Sequence, residues 1–135
     1  MKILVSIDTS KAAGKVVAFT CRLAKKLQAK VTILHVITVP TGIAVGVDPT
    51  SFLKAGEDYL NGFKLKAEKS GVKAATRVET VYGNPAHKIV ELARDERFDL
   101  IALGAMGESE LRDLLLGSVA HTVSRTSSCP VLIVR

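Results

Sequence analysis

Short aliphatic runs alternate with segments of helical period along this chain, and that alternation constrains its fold more than any other feature. Ile3 to Ile7, Val31 to Val36, Asp99 to Leu103 and Val131 to Val134 are rich in Val, Ile and Leu, and Val72 to Val81 alternates imperfectly and reads as a further strand. Such runs suit parallel strands buried on both faces. Between them, apolar residues recur at three- and four-residue spacing. Ala13, Val16, Val17, Thr20, Leu23, Ala24 and Leu27 form one such face, predicting a helix over 11–28. Tyr59, Leu60, Phe63 and Ala67 mark a second helix, weakened by Gly56 and Gly62 and stopped at Ser70-Gly71. Ala86, Ile89, Val90 and Ala93 make a third, behind Gly83-Asn84-Pro85, which supplies a turn, an N-cap and a first-turn proline. The fourth runs from Val119 to Thr126. The order βαβαβαβαβ predicts a five-stranded, doubly wound parallel α/β sheet with right-handed crossovers and helices on both faces.

The 135 residues make one domain, 1–135, large enough for a sizeable core. Hydrophobic residues are 47% of the chain, aromatics only 4%, and Trp is absent, so the core must be aliphatic. Thr38 to Thr50 holds two prolines and two glycines without a period and reads as a long loop. Pro130 at the start of the last strand suits a sheet edge. Asp8-Thr9-Ser10 offers N-caps for the first helix.

The net charge of +6 raises the question of nucleic acid. Lys25-Lys26, Lys64-Lys66-Lys69 and Arg94-Arg97 lie on separate helical segments rather than in one patch. The aromatic set that stacks single strands is missing. Solvated helix faces and a mild pull on anions account for the charge, and no nucleic-acid partner is expected. Cys21 and Cys129 lack metal-ligand or redox-pair spacing and read as free thiols in a reducing, cytoplasmic setting. Asp8 interrupts the apolar start, and no run approaches membrane-spanning length, so neither a leader nor membrane insertion is expected. His35, His87 and His121 sit on three elements without ligand spacing and read as surface or packed side chains.

Chemistry is concentrated after the fourth strand. Gly104-Ala105-Met106-Gly107 is followed by nine residues and then Gly117-Ser118, a G-x2-G-x9-G-S pattern that opens a helix. Glycine permits close backbone approach to a ligand, and the first amides of a helix suit an anion. Two readings stand side by side. Gly104 and Gly107 are turn glycines or a phosphate loop, and Ser118 is a helix start or a hydroxyl donor. Asp8 is likewise an N-cap or a ligand group at a strand end. Asp8, Val36, Gly83 and Gly104 all fall where strands finish, which is where α/β sheets bind ligands.

These residues carry a resemblance over the whole length to the universal stress protein family. The matching stretches are Ile3 to Ser10, Leu34-His35-Val36, Gly83-Asn84-Pro85, Asp99 to Gly107, Leu115 to Val119 and Cys129 to Val134. The glycine pattern resembles the signature of that family's ATP-binding branch. The resemblance implies a dimeric five-stranded α/β fold with adenosine bound across the strand ends. It implies that Asp8 contacts the adenosine side and that Val36 clamps the adenine edge with its backbone. Ser6, Ile7 and Leu103 would line the base pocket, Gly104 and Gly107 would approach ribose and phosphates, and Gly117, Ser118 and Val119 would donate to phosphate. The expected ligand is ATP, or AMP or ADP.

One departure matters. After Gly107 the chain reads Glu108-Ser109-Glu110-Leu111-Arg112-Asp113, where many relatives are basic. Carboxylates beside a triphosphate repel it unless a cation intervenes. This predicts Mg2+ or Mn2+ held with the nucleotide through Glu108 and Glu110. Leu111, Leu114 and Leu115 are spaced for a helical turn with an apolar underside.

The expected function is a nucleotide-binding stress-response regulator, a dimeric sensor or switch pairing through Val131 to Val134. The rivals are a slow ATPase or phosphotransferase and a nucleotide-free dimeric interaction module. No Walker lysine motif is present, and Asp8-Thr9-Ser10-Lys11 occupies the place of a dinucleotide glycine loop. At most weak ATP hydrolysis is expected.

Overall fold

The computed structural model describes residues 1–40, 49–106 and 116–135. Five strands alternate with four helices: β1 (Lys2–Ser6), α1 (Ala13–Leu27), β2 (Lys30–Thr38), α2 (Pro49–Lys69), β3 (Ala74–Val81), α3 (Pro85–Asp95), β4 (Leu100–Gly104), α4 (Ser118–Thr126) and β5 (Val131–Val134). All pairings are parallel, in the order β3-β2-β1-β4-β5. This is the predicted doubly wound α/β sheet. The first-born strand is central, and the chain winds outward to one side and then to the other.

Strand β1 shows why the aliphatic runs were needed. Ile3 and Val5 belong to the core shared with α1 and α2, together with Val16, Ile33 and Leu60. Leu4 belongs to the opposite core, with Leu34, Ile89, Ile101 and Val123. Successive side chains of a strand face opposite ways, so a two-sided sheet leaves no place for a polar residue at Ile3, Leu4 or Val5.

Strand β3 begins at Ala74 rather than Val72, and three further points differ from expectation. Helix α2 begins at Pro49 and runs 21 residues, well before the Tyr59 turn where its periodicity becomes visible. Its stop falls as read: Gly71 takes φ +84°, open to glycine, and donates to the Glu68 carbonyl. Second, Asp8, Thr9 and Ser10 do not cap α1. The cap is Ala12, with no side-chain bond, because a further turn (the Ala13 amide donates to the Ser10 carbonyl) intervenes. Third, β2 extends to Thr38, where its outer neighbour β3 still supplies a partner in Val81. Asn84 caps α3 as expected, its side chain accepting from the Ala86 amide.

The two sheet edges are unlike. Edge strand β3 carries Arg77 and Glu79, whose side chains pair at 2.7 Å, and Arg77 also reaches Glu96. The hydrogen bond that Arg77 donates to Glu79 is the main cause of a guanidinium held above its ordinary range. Charged side chains discourage another strand from adding there. Edge strand β5 is Val131-Leu132-Ile133-Val134 and has no charge.

Candidate functional site

The chain reverses its winding between β1 and β4. Crossovers from β1 and β2 place α1 and α2 on one face, and those from β3 and β4 place α3 and α4 on the other. Connections diverge at that point, leaving a crevice beyond the carboxyl ends of the strands. A cleft of about 90 Å3 occupies it.

The cleft gathers eight of the ten residues read as ligand contacts. Ser6, Ile7 and Asp8 come from the end of β1, Val36 from β2, Leu103 and Gly104 from β4, and Gly117 and Val119 from the start of α4. Ser118 is exposed and lies outside the lining. Gly107, Glu108, Glu110, Arg112, Asp113 and the leucines Leu111, Leu114 and Leu115 lie outside the described residues.

The backbone of β2 explains why Val36 counts. The β1–β2 register stops at Ser6–Leu34, and the Ile7 amide then donates to the Leu34 carbonyl at 2.9 Å. In a strand every second peptide faces the same neighbour. The Val36 peptide therefore faces the side that β1 has left, and its N–H and C=O present an edge toward the cleft. A flat heterocycle with its own donor and acceptor fits such an edge as a further strand would.

Asp8 is held on both sides. Its Oδ1 accepts from the Ser10 amide at 3.0 Å, a turn that fixes the carboxylate. Its carbonyl accepts from the Tyr59 hydroxyl at 2.8 Å. One residue earlier, His35 Nδ1 lies 2.9 Å from the Ile7 carbonyl, so that nitrogen carries the hydrogen and donates. The His35 and Tyr59 rings meet edge-on at 5.5 Å. Two side chains from β2 and α2 thus pin two successive carbonyls of the segment that carries Asp8. Neither role was legible in the sequence. Tyr59 read as a core position of a helix and His35 as a packed side chain; only the register that brings β2 beside Ile7 discloses them.

At the other end, the N-cap Gly117 corrects one expected role. Its amide donates to the Ala105 carbonyl at 2.7 Å and so is not a phosphate donor. The bond fixes how α4 enters the cleft, and Ala105 is itself tied to Val134 of β5. The amides of Val119 and Ala120, in the first turn, have no intrahelical acceptor and carry the helix's partial positive charge. Gly104 has ordinary room: a Cβ there would lie 3.5 Å from Met106 O and Val16 Cγ2. Its use is to leave the cleft wall bare, since no strained φ demands glycine. The cap Ala12, Ala13 and Val16 of α1, and Pro85 and Ile89 of α3 add apolar walls that the sequence reading did not assign. Among the described lining residues Asp8 alone is ionisable. No three His, Cys, Asp or Glu among the described residues gather to hold a metal ion, and none of their helices is long and apolar enough to cross a membrane.

A parallel sheet of this order with a switch-point cleft defines a Rossmann-like α/β domain. Within that class, the chain belongs to the universal stress protein family, whose model matches residues 1–135. It is 40% identical to the universal stress protein YxiE of Bacillus subtilis, over 99% of this chain and 98% of that one. Among solved structures it resembles UspA from Lactobacillus plantarum, with TM-score 0.87 and 26% identity over 100% of this chain and 97% of that one. It also resembles a universal stress protein in complex with cAMP, with TM-score 0.79 and 26% identity over 100% and 97% of the two chains.

Proposed function

We propose that this protein binds an adenine nucleotide, AMP or ATP, in the switch-point cleft, as a member of the ATP-binding branch of its family, and acts as a dimeric regulatory sensor. One juxtaposition carries the reading. The open peptide edge at Val36, the fixed carboxylate of Asp8 and the first turn of α4 surround a single cleft. They match in turn a base edge, a ribose and a phosphate. The adenine lies against Ile7, Val36 and Leu103, and the phosphates reach the amides of Val119 and Ala120 and the hydroxyl of Ser118. The likeness to a protein that holds cAMP supports the choice of base.

Binding is favoured over turnover because the described lining offers no general base besides Asp8, and that carboxylate already accepts the Ser10 amide. A divalent cation, Mg2+ or Mn2+, enters with ATP through Glu108 and Glu110. Pairing of two copies runs through β5, the uncharged edge.

Calorimetric titration of AMP and of ATP, with and without Mg2+, tests the reading. Both nucleotides should bind, and ATP alone should weaken sharply in chelator; Glu108→Gln with Glu110→Gln should abolish that difference. A carboxylate within several ångströms of a triphosphate costs on the order of 1 kcal/mol even when solvated. Gly117→Asp, which puts a charge and bulk where α4 enters the cleft, should lower affinity at least about tenfold, or 1.4 kcal/mol. Absence of nucleotide binding by the folded wild-type protein refutes the proposal.

A further inference from the structure

A second cavity lies on the face formed by α1 and α2, sharing no residue with the switch-point cleft. It is a groove of about 710 Å3. Small residues on α1 open it: Gly14 and Ala18 stand across from Phe63 of α2, and a Cβ at Gly14 would meet nothing within 4 Å. Val17, Cys21 and Ala67 form a buried floor.

The polarity of this groove is segregated along its length. Its four cations, Arg22, Lys25, Lys66 and Lys69, all stand in the last two turns of the two helices. Gly14 and Ala18 occupy the other end, and Phe63 lies between, one turn from Lys66. From Gly14 to Lys25 the axis runs about 16 Å at 1.5 Å per residue. No carboxylate lines the groove, and none of the four cations forms an ion pair among the described residues. The nearby Glu68 pairs with Lys64 instead. Arg22 and Lys66 lie over the Phe19 and Phe63 rings at 5.4 and 5.8 Å. These contacts hold the stems along the rim and leave the charge to an anion.

Charge at one end and apolar surface at the other match a head-and-tail molecule. A second copy pairing through this face would bring four more cations and no carboxylate. An acidic helix would spread its charge along the groove. We infer that the α1/α2 groove is a binding site for a single-chain anionic amphiphile, a long-chain carboxylate. Its head lies among Arg22, Lys25, Lys66 and Lys69, and its chain runs against Ala18 and Phe63 toward Gly14. The inference does not rest on nucleotide binding.

Titration with octanoate, decanoate and dodecanoate, each below its micelle concentration, tests it on the full chain. Affinity should rise with length, by up to about fourfold per methylene. Dodecanol, without the charge, should bind at least tenfold more weakly than dodecanoate. Lys25→Glu with Lys69→Glu should cost tenfold or more. Ala18→Phe, which fills the groove from an exposed position, should abolish the length dependence with the circular dichroism spectrum unchanged. Lys25→Gln with Lys69→Gln serves as a milder pair should charge reversal unfold the protein. Failure of dodecanoate to bind, affinity indifferent to length, or unchanged affinity in these variants overturns the inference. So does groove occupancy by an acidic amphipathic peptide or a second copy while the carboxylates stay unbound.

Discussion

Gly56 of α2 is a helix-weakening residue that the packing requires. It is buried, and a Cβ built on it would fall 2.8 and 3.1 Å from the two Val78 methyls and 3.3 Å from Ile37 Cδ1. Gly62, in the same helix, has nothing within 4 Å. Replacing either by Ala removes the same backbone penalty, about 1 kcal/mol. At Gly62 that gain stands alone, so Gly62→Ala should stabilise by about 0.5–1 kcal/mol. At Gly56 the methyl meets a β-branched side chain with restricted χ1 and cannot be accommodated by a rotamer change. Overpacking of this kind costs about 1–3 kcal/mol, so the net should be a loss of about 0–2 kcal/mol. The two variants should therefore differ by about 1–3 kcal/mol. For a chain of 135 residues, an unfolding entropy of about 0.28 kcal/mol/K makes 1 kcal/mol equal to about 3–4 °C in Tm. Urea unfolding of the two single variants measures the difference. Val78→Ala combined with Gly56→Ala should recover most of the loss, since it removes the methyls in the way. If Gly56→Ala stabilises as much as Gly62→Ala, the packing argument is wrong.

Three other expectations concern the site, the edge and the thiol. Tyr59→Phe removes the hydroxyl that pins the Asp8 carbonyl and should cost about 1 kcal/mol of stability; AMP titration should show a several-fold weaker affinity, and equal affinity would show that the pin does not position Asp8. Light scattering at micromolar concentration should give a dimer, and Ile133→Lys should give a monomer; a monomeric wild type removes the β5 pairing. Burial raises the Cys21 thiol above its ordinary value of 9.0. The folded state thus keeps its proton where the unfolded chain releases it. The stability is fully present below pH 9.0 and is lost as pH rises through the folded value; urea midpoints between pH 8 and 10.5 should fall less in Cys21→Ala than in wild type.

The middle of the sheet was readable because its central strands are covered on both sides. Ile3, Leu4 and Val5 have no solvent face, so hydrophobicity alone marks them as strand. The start of α2 was unreadable for the converse reason. Its exposed residues, Ser51, Lys54, Ala55 and Glu57, leave no regular apolar stripe before Tyr59, and Gly56 puts no side chain at a buried position. Positions in the cleft followed from strand ends, which sequence punctuation marks well. Roles followed less well. That the Gly117 amide turns inward to Ala105, or that Tyr59 reaches Asp8 from 51 residues away, depends on crossings no local pattern encodes.

The placement of β1 at the centre has a consequence for the order of assembly. Strands β1, β2 and β3, with α1 and α2 above them, form a contiguous half that can pair as soon as residue 81 has left the ribosome. The remaining neighbour of β1 is β4, and Asp99, just before it, meets Lys2 from 97 residues away. Closing that loop is the slow entropic step of a parallel sheet. The cleft takes one wall from each half, so it does not exist until the second half has docked. A cleft ligand would therefore bind the completed molecule and neither half alone. At a hundredfold excess over Kd it would deepen the native state by about 2.7 kcal/mol, acting as a clasp on a seam that synthesis closes last.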